Sequence, residues 1–249
     1  MWKGARVIVV VPAWEEAPRI GKVLISIPDW VDAIVVVDDG SSDSTSDAAR
    51  AVGDARVEVV RHDRNRGVGA AIATGYRRAL DGASASDSAR DAVAVMAGDG
   101  QMAPRDLAAL VDPVVEGSAD YVKGDRFRSK EHRESMPVAR LVGGRLFSWA
   151  TSVAIGLPIS DSQCGYTAIS RAACAKLDLD GLWPRYGYPN DLLSQLVVRG
   201  LRVSEVPVRA VYADEVSRLK ARHLPFIAGI ILRAWVRRIR LRSSGRFPR

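Results

Sequence analysis

The stretch Val35-Val36-Val37-Asp38-Asp39-Gly40-Ser41-Ser42-Asp43 decides the fold, because a β-branched run ends here in two adjacent carboxylates and a Gly/Ser turn. A buried strand that ends in this way carries negative charge at its carboxyl edge, where open α/β sheets bind their ligands. Two further apolar runs end in acidic turns: residues 7–11 lead into Pro12-Ala13-Trp14-Glu15-Glu16, and residues 93–96 lead into Ala97-Gly98-Asp99-Gly100-Gln101. Three such turns predict a site for a nucleotide and a divalent cation.

Helix capping is an alternative explanation of the acidic turns, since Asp and Ser cap helix N-termini and carboxylates suit the helix dipole. Asp43, Ser44 and Asp47 fit this role. For three turns that follow β-α units, a shared site is favoured, because parallel strands bring all three acidic ends to one edge of the sheet.

The composition is that of a globular chain with room for one large α/β domain or two small ones, since 47% of its 249 residues are hydrophobic. Cys164 and Cys174 have no metal-ligand spacing, so a reducing cytoplasm is the expected compartment. His62, His132 and His223 are scattered singly; they are interpreted as ordinary residues and predict no zinc site.

No segment of the sequence is predicted to span a membrane. The apolar run at residues 7–11 is too short for the core of a signal peptide. The apolar stretch 224–232 is interrupted by Pro225 and Gly229 and falls short of the roughly 20 residues that cross a bilayer.

Apolar periodicity predicts strands that alternate with helices along the first half of the chain. The predicted strands are 5–11, 33–37, 56–60, 91–96 and 121–123, and the predicted helices are 17–26, 44–52, one that ends near 80, and 104–116. The less regular second half has a basic loop at 123–140, a helix at 141–155, and a turn at 160–166 followed by a short strand. An aromatic and Gly/Pro-rich segment at 182–189, a helix that ends near 199 and a strand at 202–207 complete it. The predicted fold class is α/β, with a doubly wound, mostly parallel sheet and helices on both faces.

A dinucleotide-binding fold does not fit, although Gly67-Val68-Gly69 invites the comparison. Its fingerprint requires a third glycine three residues after the second, where this chain has Ile72, and it belongs on the first β-α turn. The two glycines are expected instead to let a loop pass close to a neighbouring strand.

Taken together, the motifs resemble the GT-A glycosyltransferases of family 2, and within them the dolichol-phosphate (polyprenyl-phosphate) mannose synthase-like branch. The resemblance extends over residues 7–220. It rests on Val11-Pro12-Ala13-Trp14-Glu15-Glu16, on Val-Asp-Asp-Gly-Ser-x-Asp at 37–43, on Asn-x-Gly-x-Gly at 65–69, on the turns at 97–101 and 161–166, and on Glu215-Val216-Ser217-Arg218-Leu219-Lys220.

The resemblance implies a role for each of these side chains. Those implied to bind the nucleotide are Pro12, Trp14, Glu16, Asp38 and Asp39; those implied to hold Mg²⁺ or Mn²⁺ are Asp99 and Gln101; those implied to bind phosphates are Arg126, Arg140, Arg218 and Lys220. The chemistry agrees, since an indole offers a flat face to a base, carboxylates accept from hydroxyl and N–H groups, and arginines match phosphate oxygens with two parallel donors.

Two positions depart from the family pattern: Ala97 replaces the first Asp of Asp-x-Asp, and Glu15 replaces Asn. Mg²⁺ usually keeps several waters, so one carboxylate can suffice. We expect weaker metal affinity and activity only at raised Mg²⁺ or Mn²⁺. The alternative is a degenerate relative that binds a nucleotide sugar without turnover.

By resemblance, the reaction is an inverting transfer of a single sugar, of mannose or glucose type, from a GDP- or UDP-sugar to a polyprenyl or dolichyl phosphate at the cytoplasmic face of a membrane. Such a phosphate is already largely anionic at neutral pH, so no strong base is required. A hydroxyl acceptor, the alternative, needs a base, for which Asp161 is the candidate catalytic residue. Asp161 is otherwise expected to hold its turn or pair with an arginine. Asn190 and Asp191 are assigned no catalytic role.

Single transfer is favoured over polymerisation. The processive members of the family carry Gln-x-x-Arg-Trp, whereas Gln195 and Arg199 are one residue too far apart and Gly200 follows.

The sequence is divided into a catalytic domain at 1–222 and a basic, amphipathic tail at 223–249. The tail is first apolar and then rich in arginine, and it contains no acidic residue. A helix of this kind is expected to lie in the interface of an anionic membrane, which the net charge of +7 suits. Nucleic acid is a less favoured partner, because no recognition motif accompanies the charge. A third possibility is that the apolar part docks on the domain and the arginines are only solvated.

Overall fold

The computed structural model describes residues 1–81, 88–128, 136, 138–209 and 224–243. Seven strands in these residues form one sheet in the order β3-β2-β1-β4-β6-β5-β7. The strands are β1 (Val7–Ala13), β2 (Ala33–Asp38), β3 (Val57–Arg61), β4 (Ala92–Val95), β5 (Tyr121–Asp125), β6 (Thr167–Ser170) and β7 (Val203–Pro207). Strand β6 runs antiparallel to both of its neighbours, and the other pairings are parallel.

Helices cover both faces of the sheet. They are α1 (Ala17–Ser26), α2 (Thr45–Arg50), α3 (Val68–Asp81), α4 (Leu107–Val115), α5 (Val138–Ile155), α6 (Arg171–Cys174), α7 (Tyr188–Val198) and α8 (Leu224–Ser243). A 3₁₀ turn, Pro104–Asp106, precedes α4 where one continuous helix is predicted. Alternate residues of β1 enter opposite cores: Val9 belongs to the core that contains residues of α1, α2 and α4, and Val10 belongs to the core that contains residues of α3, α5 and α7. The expected doubly wound architecture is confirmed.

The register of the sheet brings the three acidic strand ends together. Strand β1 lies between β2 and β4, with Ala13 opposite Asp38 and Val10 opposite Val95. The turns that follow these strands therefore lie side by side at one edge, as the sequence predicts.

Helix α3 packs closely on β1 because of its small residues. A Cβ atom on Gly75 would overlap the side chain of Val10. Gly75 is buried, so a larger residue here would have to displace the sheet or the helix.

Helix α8 is the described part of the predicted tail, and one side of it packs on the domain. Ile227, Ile230 and Ala234 are buried, and the helix contacts α7 and α5. The possibility that the apolar part of the tail docks on the domain therefore holds for this side of the helix. The division of the chain into two parts at residue 222 stays a prediction. No helix among the described residues combines the length and apolar character needed to cross a membrane.

Candidate active site

The turns after β1 and β2 are joined by hydrogen bonds. Glu15 N donates to Oγ of Ser41 at 2.9 Å, and Oε1 of Glu15 accepts from N of Ser42 at 2.7 Å. Glu16 N donates to Oγ1 of Thr45 at 2.9 Å. Glu15 adopts a φ of +55°, a conformation that Asn visits more readily than Glu. The hydrogen bond that Glu15 donates to Ser41 and the one that it accepts from Ser42 hold Glu15 where the family pattern has Asn.

Asp38 and Asp39 are buried and hold these turns in place. Oδ1 of Asp38 accepts from N of Ser41 at 2.9 Å, and its Oδ2 accepts from Oγ of Ser46. Oδ2 of Asp39 accepts from N of Gly67 at 2.7 Å. Both carboxylates thus organise the loops of the site, and their direct contact with a nucleotide stays a prediction.

His62 is treated as an ordinary residue by the sequence analysis, but it lies in this network. Its Nδ1 lies 2.7 Å from Oδ1 of Asp39, and its Nε2 lies 2.9 Å from Oγ1 of Thr74. The pairing follows from the parallel register of β2 and β3. Asp38 lies opposite Arg61, so the next residues after the two strands, Asp39 and His62, also meet. The signal that could have revealed it is this register rather than any motif around His62.

The glycine loop after β3 lies against the segment that precedes α7. Gly67 has a φ of +103°, and a Cβ on Gly69 would overlap the carbonyl oxygen of Trp183. Ala70 N donates to the carbonyl oxygen of Pro184 at 3.1 Å. The glycines permit a close approach, as expected, but the neighbour is a loop and not a strand, which corrects the sequence-based expectation.

The turn after β4 lies beside the end of β1. Gly98 N donates to the carbonyl oxygen of Pro12 at 3.0 Å, and Gln101 N donates to Oδ1 of Asp99 at 3.0 Å. The side chain of Trp14, in the neighbouring turn, is 40% exposed, so part of its ring faces solvent. The residues predicted to bind nucleotide and metal are therefore at one edge of the sheet.

The donor set of this turn fits a hard divalent cation. Within the described ranges, no three His, Cys, Asp or Glu side chains converge on a common point. Mg²⁺ in nucleotide sites is usually held by one or two carboxylates, substrate phosphates and waters, so such a cluster is not needed. With Ala97 in place of the first carboxylate, Asp99 is the acidic ligand that this turn offers.

Arg126 and Asp161 form a bidentate ion pair beyond the end of β5. Arg126 donates from Nε to Oδ2 at 2.6 Å and from Nη2 to Oδ1 at 3.0 Å. Asp161 is fully buried, whereas Arg126 keeps 19% of its side chain exposed. Burial alone would raise the pKa of Asp161, but Arg126 and Lys123 together hold that pKa below its ordinary value. The geometry favours the second role considered for Asp161, in which it pairs with an arginine.

Lys123 is a fully buried lysine next to this pair. Its Nζ donates to the carbonyl oxygen of Cys164, within the turn that Asp161 begins. Burial lowers the pKa of Lys123, although the thiol of Cys164 and the carboxylate of Asp161 oppose the shift. Glu205 supports the same turn from β7, since its Oε1 accepts from N of Asp161 at 3.1 Å.

Asp191 and Asn190, at the start of α7, connect the site to its surroundings. Oδ2 of Asp191 accepts from N of Trp183 at 3.0 Å, and Oδ1 accepts from Nη1 of Arg237 at 3.1 Å, which ties α8 to α7. Oδ1 of Asn190 accepts from Nε2 of Gln163 at 3.1 Å. Sequence analysis assigns both residues no catalytic role, and the structure gives them these linking contacts.

Three of the implied phosphate ligands cannot be placed. Arg218 and Lys220 lie outside the described residues, as does the whole 215–220 motif, and the side chain of Arg140 is outside them too. Arg126 is therefore the phosphate candidate whose position is known.

The two parts of the site are joined by contacts behind the metal turn. Oη of Tyr166 donates to the carbonyl oxygen of Ala103 at 3.0 Å. A Cβ on Gly165 would lie 3.5 Å from Cε of Met102. The turn of Asp161 therefore packs on the turn of Asp99, which places the acidic turns predicted to hold nucleotide and metal next to the part of the site that contains Arg126.

Comparison with known proteins identifies relatives that match most of this chain. Residues 8–178 match the family model described as glycosyl transferase family 2. An uncharacterised protein of Methanocaldococcus jannaschii is 34% identical over 209 residues, which cover 84% of this chain and 82% of the relative. A UDP-N-acetylglucosamine–dolichyl-phosphate N-acetylglucosaminyltransferase of Methanococcus voltae is 27% identical over 223 residues, or 84% of this chain and 86% of the relative.

A solved structure shares both fold and some sequence. Glucosyl-3-phosphoglycerate synthase from Mycobacterium tuberculosis, in complex with UDP, superposes with a TM-score of 0.67 and 26% identity. The match covers 93% of this chain and 80% of that protein.

Proposed function

Because the chain belongs to glycosyl transferase family 2, we propose that it moves one sugar from a nucleotide-sugar donor to a polyprenyl phosphate. The chain is a nucleotide-sugar-dependent glycosyltransferase by family. The identity of the acceptor, of the sugar and of the base belongs to the proposal. The M. voltae relative supports a dolichyl phosphate acceptor by its name, and the M. tuberculosis structure supports a uridine donor by the UDP it contains.

The Arg126–Asp161 pair is the observation that carries the choice of acceptor. A carboxylate that is fully buried, held by a guanidinium and lowered in pKa is poorly suited to take a proton from a hydroxyl group. A phosphate monoester acceptor has a second pKa of about 6 and arrives largely ionised at neutral pH, so it requires no such base. We therefore assign Asp161 a positioning role, in which it orients Arg126 toward an anionic substrate.

The donor would lie along the acidic edge of the sheet. In this proposal Trp14 stacks on the base, Glu16, Asp38 and Asp39 shape the pocket for the nucleoside, and the backbone around Pro12 forms its floor. Asp99 and Gln101 would hold Mg²⁺ or Mn²⁺, which offsets the charge that develops on the departing nucleoside diphosphate. Arg126 would add a second positive group on the acceptor side.

A hydroxyl acceptor that itself carries a phosphate is the second candidate. The M. tuberculosis neighbour is named for glucosyl-3-phosphoglycerate, and its superposition covers 93% of this chain at a TM-score of 0.67. This reaction would need a base. The carboxylates of Asp125, Asp161 and Glu205 already accept hydrogen bonds from N of Phe127, from Arg126 and from N of Asp161, respectively. We rank it second for that reason.

The acceptor is tested by comparing three compounds under one set of conditions. With a UDP-sugar and Mn²⁺, we expect kcat/KM to be highest for a short-chain polyprenyl phosphate, and transfer to be undetectable for the matched polyprenol that lacks the phosphate. Preference for 3-phosphoglycerate over the polyprenyl phosphate would replace the first candidate by the second. Bound UDP with no transfer to any of the three would favour the degenerate relative.

A polyprenyl chain anchors such an acceptor in a bilayer, so the reaction would take place at a membrane surface. We propose the cytoplasmic face, with the protein bound peripherally.

A further inference from the structure

Helix α5 presents an apolar stripe to solvent. Val142, Leu146, Trp149 and Val153 recur at intervals of four, three and four residues and lie on one face of the helix. All four are exposed, Trp149 to 65%. The opposite face of the helix is buried and includes Thr151. The outward stripe therefore has no partner among the described residues.

Helix α8 presents a second stripe of the same kind. Leu232, Trp235 and Ile239 recur at intervals of three and four residues, and all three are exposed. Ile230 and Ala234, on the other side of the helix, are buried against the domain. The helix is thus apolar on its inner side and also along part of its outer side.

The two helices are in contact, so their stripes belong to one surface. Nη1 of Arg238, on α8, donates to the carbonyl oxygen of Val153, on α5, at 2.8 Å. Both helices also pack on α7. The outward stripes of α5 and α8 together are called the apolar face below, and its members are Val142, Leu146, Trp149, Val153, Leu232, Trp235 and Ile239.

The two helices that form the apolar face carry charges of one sign. Neither helix contains Asp or Glu. Of their arginines, Arg145, Arg233 and Arg240 are exposed, whereas Arg237 pairs with Asp191 on α7 and Arg238 donates to the carbonyl oxygen of Val153. Two of the exposed apolar residues are tryptophans, which favour the boundary between lipid headgroups and acyl chains because an indole is apolar with one polar N–H.

We infer that the apolar face docks on the surface of an anionic lipid bilayer, with the apolar side chains at the level of the acyl boundary and arginines among the headgroups. A second copy of the chain would oppose two positive surfaces, which repel each other. A nucleic acid would neutralise the arginines but leave the aliphatic stripes in water. A bilayer satisfies both the charge and the apolar area.

This inference deepens the proposed function by naming the partner surface, and its physical basis is independent of the acceptor. The inner side of α5 supports the turn of Asp161, since Oγ of Ser148 accepts from N of Ser162 at 2.9 Å. The same helix also contacts Asn190, through Oγ1 of Thr151 at 3.1 Å. Docking would therefore place the acceptor half of the site within one helix diameter of the membrane, about 10 Å.

The test changes α5 alone, because an anchor formed by the α8 arginines only would be insensitive to it. We compare the full chain with the variant Leu146→Ser/Trp149→Ser in co-sedimentation with vesicles of phosphatidylcholine that contain phosphatidylglycerol and no polyprenyl phosphate. The fraction of protein that sediments is measured at limiting lipid. We expect the affinity of the variant for the vesicles to be at least about tenfold lower than that of the unaltered chain. The control Ile25→Ser removes a 73% exposed apolar side chain from α1, on the opposite face of the sheet, and should bind as the unaltered chain does.

The outcomes are distinguishable because a thermal melt and UDP binding report folding separately from membrane binding. If the α5 variant keeps both and loses vesicle binding, the inference holds. Unchanged vesicle binding by the variant overturns the inference. A lower sedimentation coefficient of the variant than of the unaltered chain, measured without lipid, also overturns it, because it would identify the face as a contact between two copies. Binding of the unaltered chain to duplex DNA or RNA in preference to the anionic vesicles also overturns it. Vesicle binding without any sugar transfer would contradict only the proposed function.

Discussion

Arg126 and Asp161 are joined by two parallel hydrogen bonds of 2.6 and 3.0 Å, which connect the end of β5 to the turn that leads into β6. Because Asp161 is fully buried and Arg126 is not, the carboxylate acts as the fixed partner and the guanidinium as the group it orients. Asp161 also accepts from N of Gln163 at 3.3 Å, so the same carboxylate shapes the turn.

A double-mutant cycle separates the positioning role of Asp161 from catalysis by a base. Asp161→Asn leaves Arg126 without its counter-charge and is expected to destabilise the protein by about 3 kcal/mol. If Asp161 acts through Arg126, then Asp161→Asn and Arg126→Gln should lower kcat/KM non-additively, and the double variant should be no worse than the poorer single variant. The measurement is steady-state kinetics on all four proteins. Additive losses, with the largest drop in kcat for Asp161→Asn, would identify a base.

The buried Lys123 predicts a pH dependence of stability with a defined sign. Its folded pKa is lowered by burial below the unfolded value of about 10.4, so between those two pKa values the unfolded chain binds a proton that the folded chain does not. Stability from this group therefore rises with pH through that interval. The measurement is urea unfolding of the unaltered chain and of Lys123→Met at pH 7 and pH 9.5. Between these two pH values, the free energy of unfolding of the unaltered chain should rise relative to that of the variant. Parallel changes in the two proteins would contradict the prediction.

Two helical glycines provide a matched pair for the packing of α3 on β1. Gly75→Ala should destabilise the protein by about 1 to 3 kcal/mol, because the new Cβ would overlap Val10. Gly143→Ala, in α5, meets nothing within 4 Å and should stabilise by up to about 1 kcal/mol through helix propensity. Thermal unfolding measures both. A Gly75→Ala protein as stable as the parent would contradict the close packing.

The metal turn predicts opposite effects of two substitutions. Asp99→Asn removes the acidic ligand and should lower activity at least about tenfold, and EDTA should abolish activity in the unaltered chain. Ala97→Asp restores the first Asp of the Asp-x-Asp pattern, so that two carboxylates are present, and it should lower the Mn²⁺ concentration for half-maximal activity. The control Asp47→Asn removes a carboxylate whose side chain is 82% exposed, on α2, and should change neither. Full activity in EDTA would contradict the metal requirement.

The local patterns of the sequence were sufficient for the parallel half of the sheet, β3-β2-β1-β4. Alternating apolar runs and acidic turns predicted β1, β2 and β4 and placed Asp38, Asp39 and Asp99 at one edge, because parallel β-α units leave few alternatives. A short strand was predicted where β6 lies, but its antiparallel insertion between β4 and β5 was not, since that depends on pairings between residues far apart in the chain.

The same limit explains what was missed at the site. His62 meets Asp39 across 23 positions of sequence, and Arg126 meets Asp161 across 35, so neither pair forms a spacing motif. Lys123 gave no sign of burial, because it lies in a short strand beside Gly124 and Asp125. The outward stripe of α5 has helical periodicity, which predicts a helix but does not show which face is buried.

The most direct measurement is the mass of the product formed from a short-chain polyprenyl phosphate, tested with UDP- and GDP-sugars in the presence of Mn²⁺ and analysed by mass spectrometry. The account predicts a lipid-linked monosaccharide, formed by the unaltered chain and absent with Asp99→Asn or EDTA. A donor that binds but yields no lipid-linked sugar, or a ladder of products from one acceptor, would contradict single-sugar transfer to a polyprenyl phosphate.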